Sequence, residues 1–227
     1  MQQEKKMRIA VLLWDWWTSR NKANAGEVQK TIAEISSFIT KHLTDFTSVN
    51  IQKMPQPQQP QVWIPPATNL IKINMDAAFH VESETGAWGF IARDETGDFL
   101  AAAAGKMNHV RSALHAEVIG CVRAIEGAAD LGAQRINFES EYLTMISALK
   151  GRGYDAAELG VLFREARSLC HASFVFSEFM FCPTNCNHVA HALAQFAMGA
   201  AEPLHVWANV APDFVSVLVN ADMASQV

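Results

Sequence analysis

Residues 69–79, NLIKINMDAAF, commit the chain to a sheet. Ile71, Ile73 and Met75 alternate with Lys72, Asn74 and Asp76, the period of a strand with one buried face. GAWGFIARD (86–94) and GDFLAAAAGKM (97–107) continue as two more strands. The ETG between them reads as a hairpin turn in which Gly97 takes positive φ. A sheet begun this way needs helices to cover it, and the rest of the chain supplies them.

SALHAEVIGCVRAIEGAADLG (112–132) has the period of a helix. Its expected buried stripe is Ala113, Ala116, Val118, Ile119, Val122, Ile125 and Ala129, and Gly132 ends it. QRINFES (134–140) is a fourth strand, followed by helices over 142–151 and 159–171. ASFVFSEFMFC (172–182), aromatic and β-branched, is a fifth strand. NHVAHALAQFAMG (187–199) is a helix with Val189, Leu193 and Phe196 on one face, and a last helix is expected from Pro212. The order is βββαβααβα, an α/β fold with a five-stranded mixed sheet flanked by helices.

Upstream, helices are expected over 7–22 and 27–47, the second carrying Ile32, Ile35, Ile39 and Leu43 at helical spacing. Trp14 and Trp17 share a face and read as packing residues. MPQPQQPQVWIPP (54–66) is a Pro/Gln linker whose prolines favour extended chain. The expected divisions are a helical arm (1–53), the linker (54–66), the main domain (67–199) and a C-terminal extension (200–227).

Charge divides along the same line. Residues 1–66 carry 8 Lys/Arg against 5 Asp/Glu, net +3, and residues 67–227 carry 10 against 18, net −8. An acidic domain lacks the broad basic surface of a nucleic-acid binder that works by charge alone. It suits a domain that gathers carboxylates around a cation. The four cysteines, Cys121, Cys170, Cys182 and Cys186, show no secreted disulfide framework, so reduced intracellular thiols are expected. The apolar run IAVLLWDWW is short, broken by Asp15 and followed by Arg20 and Lys22. It therefore reads as neither a secretion signal nor a membrane span, which needs about 20 apolar residues. The expected location is the nucleus or cytosol.

The chemistry concentrates in acidic residues at element ends. Asp76 lies at the end of the first strand, Glu117 near the start of the first main helix, and Glu141 after the fourth strand. INFESEYLTM (136–145) poses the sharpest choice, since Glu139 and Glu141 both sit where strand gives way to helix. Such element ends converge in α/β sheets. Carboxylates brought together repel unless a cation offsets them, and Mg²⁺ favours oxygen ligands.

The order βββαβααβα, together with NMD, AE on the first helix, ESE after the fourth strand and NHVAHALA on the last helix, resembles the ribonuclease H type 1 domain. WIPP before the first strand, WGFIARD in the second and AADLG at the helix end resemble the plant retroelement-derived, reverse-transcriptase-like group. The segment LLWDWWTSRN is similar to what precedes this domain in such elements. The resemblance implies hydrolysis of the RNA strand of RNA–DNA hybrids, assisted by Mg²⁺ or Mn²⁺. Duplex shape and 2′-hydroxyls would be read rather than base sequence. It implies Asp76, Glu117, Glu141 and His191 as the catalytic set, with Asp76, Glu117 and Glu141 as metal ligands. Glu141 and His191 stand where the family normally has Asp, and Ala77 where it has Gly. Tyr142, in place of Ser or Cys, is expected to crowd the site. His191 suits Mn²⁺ better than Mg²⁺.

Arg93, ending a strand, and Asn187, opening the last helix, are the candidate nucleic-acid contacts; Lys106, Arg111 and Arg152 are further available cations. Cys182, Cys186, His188 and His191 raise a zinc reading, but His-x₂-His is shorter than the usual structural spacing. The departures at Glu141 and Tyr142, with the acidic charge, carry an alternative. The domain would then have lost catalysis and serve nucleic-acid or protein interaction, or be a retroelement remnant.

Overall fold

The computed structural model describes residues 62–225. The helices expected at 7–22 and 27–47, and most of the linker, lie outside the described residues. Strands β1 (Ile71–His80), β2 (Thr85–Arg93) and β3 (Phe99–Met107) come first. They are followed by α1 (Ala113–Asp130), β4 (Arg135–Ser140), α2 (Leu143–Lys150), α3 (Gly160–Ser173) and β5 (Phe176–Phe181). A 3₁₀ turn (Thr184–Cys186) leads into α4 (His188–Gly199), β6 (Leu204–Ala208) and α5 (Asp213–Ala224). None of the described helices is long and apolar enough to cross a membrane.

The strands form one mixed sheet in the order β5-β4-β1-β2-β3-β6. β1, β2, β3 and β6 pair antiparallel in sequence, while β4 joins β1 in parallel and β5 joins β4 in parallel. The expected ribonuclease H-like architecture is present, with six strands rather than five. The additional strand, β6, covers the outer edge of β3. Its alternation is plain in LHVWA: His205 and Trp207 pack with Phe196 and Phe214, while Leu204, Val206 and Ala208 face outward. The fifth expected strand begins late, because Ala172 and Ser173 complete α3.

Helices cover both faces. On one side α1, α2 and α3 pack on Ile73, Met75, Trp88, Phe90, Ile136 and Phe138. On the other, Val189, Leu193 and Ala197 of α4 and Val215 and Val219 of α5 pack on Ala87, Ile91, Ala102 and Ala104. The hairpin turn is as expected, with Gly97 at φ +88°. In α1, Ser112 caps the start by accepting from the His115 N–H. The buried face of α1 differs from the expected stripe. Ala116, Val118 and Ile125 are buried, joined by Cys121, Ala124 and Ala128, while Ala113 and Ala129 are exposed. Small residues let this helix lie close to the sheet, and the aromatic side chains of Trp88 and Phe90 fill the contact.

Candidate metal centre

Asp76 lies mid-way along β1, opposite Gly89 of β2. A Cβ at Gly89 would stand 2.5 Å from both Ala194 N and Leu193 Cβ. The missing side chain is what lets α4 rest directly on β2. That approach brings His191 over β1, where its Nδ1 lies 2.8 Å from Asp76 Oδ2. Glu141 arrives by register. The parallel β1–β4 pair matches Asn74 with Glu139, and side chains repeat their direction every second residue. One rung further on, Asp76 and Glu141 therefore fall on the same side.

One ligand atom from each of Asp76, Glu141 and His191 lies within 4.8 Å of the other two. Ligands about 2.1 Å from an octahedral ion are about 3 Å apart when adjacent and about 4.2 Å when opposite. The cluster thus has the span of a cation site. Its chemistry fits as well: Glu141 Oε2 is buried and has no hydrogen-bond partner. A buried carboxylate oxygen left alone is costly, and a cation removes that cost.

Glu117 reaches the same place from α1, on the opposite face of the sheet. It hydrogen-bonds Asp76 and accepts from the Ala77 N–H, but does not join the 4.8 Å cluster. The structure therefore groups Asp76 and Glu141 with His191, and sets Glu117 beside Asp76. Burial first, and then the charge of Asp76, push the Glu117 carboxyl up to about 9; the Ala77 N–H opposes the rise. Burial likewise pushes Asp76 up to about 6, opposed by the His191 hydrogen bond and reinforced by Glu141.

Burial thus favours the protonated form of Glu117 beside Asp76, and a cation held by Asp76 would compete with that proton. Cation affinity is expected to rise with pH, approaching tenfold per unit while one proton is released. Mn²⁺ titrations at successive pH values check this, and Glu117→Gln should flatten the dependence. The metal-free stability runs the other way. The folded chain holds a proton that an unfolded Glu117, with an ordinary value of 4.5, gives up early. This contribution is complete below about 4.5 and is lost as pH rises through about 9.

The two glutamates of ESE separate cleanly. Glu139 turns away from the cluster: its Oε1 lies 2.7 Å from Lys72 Nζ and its Oε2 accepts from Asn74 Nδ2 at 3.0 Å. Tyr142 does not crowd the site, since it packs against the core on the α1 side of the sheet. The expectation that Arg93 touches phosphate is corrected. Arg93 is 0% exposed, donates to Asp222 and Asn74, and stacks 3.5 Å over the Trp63 ring. Asn187 is corrected on the same ground: it is 1% exposed and its Nδ2 donates to Met75 O at 3.1 Å, pinning α4 to β1. Lys106, Arg111 and Arg152 are exposed. His188 pairs with Asp222, and Cys182 and Cys186 pack with Trp63, so the zinc constellation does not assemble. All four thiols are free and buried, and burial pushes each of them up.

A family model described as reverse transcriptase-like matches residues 74–197, more than half of the 227-residue chain. The chain belongs to the reverse transcriptase-like family. Among curated proteins, none matches this family member's sequence. Solved structures do resemble it. Ribonuclease H1 from Halobacterium salinarum NRC-1 is 21% identical, with 57% of this chain and 97% of that one covered, at a TM-score of 0.50. An N-terminal ribonuclease H domain from Mycobacterium tuberculosis is 18% identical, covering 70% and 99%, at 0.52. LC11-RNase H1, isolated from compost, was solved in complex with an RNA/DNA hybrid; it is 17% identical, covering 56% and 95%, at 0.51. At these identities the likeness establishes a ribonuclease H fold for this reverse transcriptase-like chain.

Proposed function

We propose that the chain is a divalent-metal-dependent endonuclease that cleaves the RNA strand of RNA–DNA hybrids. The observation that carries this reading is the Asp76–Glu141–His191 cluster with its orphaned Glu141 oxygen. The complex of LC11-RNase H1 with a hybrid indicates the substrate class. Asp76, Glu141 and His191 would hold Mg²⁺ or Mn²⁺. When bound, such an ion activates water and stabilises the leaving oxygen at the scissile phosphate. Glu117 orients Asp76 and keeps a proton on its own carboxyl until the cation enters. His191 fixes Asp76 Oδ2 from the solvent side. A nuclear or cytosolic location goes with this reading.

A second reading, a domain that binds nucleic acid or protein without cleaving, is favoured by the burial of Arg93. Among the described residues, the cation at that strand end is enclosed and paired with Asp222. A hybrid-cleavage assay in Mg²⁺ and in Mn²⁺ separates the two. The first reading expects metal-dependent cleavage; its absence in both ions leaves the second. Glu141→Asp sharpens the result. The Glu141 carboxylate already reaches the cluster, so shortening it should give no gain in rate. A large gain would show instead that Glu141 limits the site.

A further inference from the structure

Helix α4 carries His191 yet has no side-chain cap at its start and no acidic residue in its first turn. Its first turn is instead tied down through side chains of its own residues. The Asn187 amide supplies one tie, to β1. The other comes from far along the chain. Asp222 of α5, 4% exposed, places Oδ1 3.1 Å from His188 Nε2, one helical turn before His191. Asp222 is itself fixed, since its Oδ2 accepts from Arg93 Nη1 at 2.7 Å. Arg93 Nη2 in turn donates to Asn74 Oδ1 at 2.9 Å, and the same oxygen accepts from Trp63 Nε1 at 2.8 Å. Asn74 lies two residues before Asp76 on the same face of β1. One buried ion pair therefore ties down both the strand that carries Asp76 and the helix that carries His191.

We propose that Asp222 is a positioning residue for the cation site, acting through His188 to hold the first turn of α4 and with it His191. This rests on the cation reading above. Asp222 and Trp63 both lie outside the family-matched segment 74–197. The working unit in this chain thus extends beyond that segment on both sides.

The test uses the full chain with Asp222→Asn and His188→Gln. It reads the His191 ring resonances by ¹⁵N NMR without metal, Mn²⁺ affinity by paramagnetic resonance, and the melting temperature. Both substitutions are expected to shift the His191 resonances and to weaken Mn²⁺ binding about tenfold, as losses behind metal ligands do. Resonances and affinity left at wild-type values, measured well below both melting points, would overturn the proposal and leave Asp222 as an anchor of α5 alone. If Asp222→Asn does not fold, His188→Gln decides, because it alters only a partly exposed member. If the wild-type chain binds no Mn²⁺, the cation reading fails, and the ring resonances still decide the positioning role.

Discussion

Asp76→Asn is expected to lower hybrid cleavage by roughly 10³-fold or more and to remove measurable Mn²⁺ binding. A bound cation supplies several kcal/mol of transition-state stabilisation, and each 1.4 kcal/mol is about tenfold in rate. Asn keeps the shape of Asp but replaces a charged oxygen with an amide that donates. Asp76 is the member that touches all the others: His191 by hydrogen bond, Glu117 by hydrogen bond, and Glu141 by charge. The metal-free fold should not suffer. Removing one of several buried carboxylates relieves repulsion, so the metal-free melting temperature is expected to hold or rise. Undiminished cleavage by the variant, with the same purity, would show that the activity lies elsewhere.

The largest effect on stability is expected at Arg93. The Arg93–Asp222 pair is buried on both sides, at 0% and 4% side-chain exposure. Breaking such a pair by removing one partner costs about 3–5 kcal/mol, because the other charge is left buried and unpaired. Arg93→Met also deprives the Asn74 and Trp63 contacts of their partner. For a chain of this size the melting temperature should fall by about 10 °C. Arg93→Met combined with Asp222→Leu is expected to recover much of the loss, since no lone charge remains. Calorimetry of the single and double variants gives the comparison. A single variant within a degree of wild type would mean that the pair contributes little.

These residues also show what the sequence could and could not reveal. The strands were legible because Ile71, Ile73 and Met75 alternate over one buried face, and the turn because Gly97 takes a conformation open to glycine. Asp76, Glu117 and Glu141 stood out by their places in the element order, and His191 joined them only through the family resemblance. Their grouping was not legible: that His191 rather than Glu117 joins Asp76 and Glu141 depends on how close α4 lies to Gly89, which no local pattern states. Arg93 looked like a solvent-facing strand end. Its partner Asp222 is 129 residues away in the chain, and long-range pairing of this kind leaves no periodic trace. The same holds for Glu139 and Lys72, which lie on different strands and form a buried ion pair. β6 escaped notice for a different reason, since five alternating residues in a tail resemble a loop until an open strand edge is known to need them.

The burial of the thiols has a practical side. The sequence contains four cysteines, and all four are enclosed and held above their ordinary range. Reactivity belongs to the exposed thiolate, so the native chain offers little for a maleimide or a spin label to attack. A single cysteine introduced on the outer face of α5 or on an exposed strand position would then take up the probe selectively. Distances from such a label to Mn²⁺ would report directly where the ion sits, with no background from the protein's own sulfur.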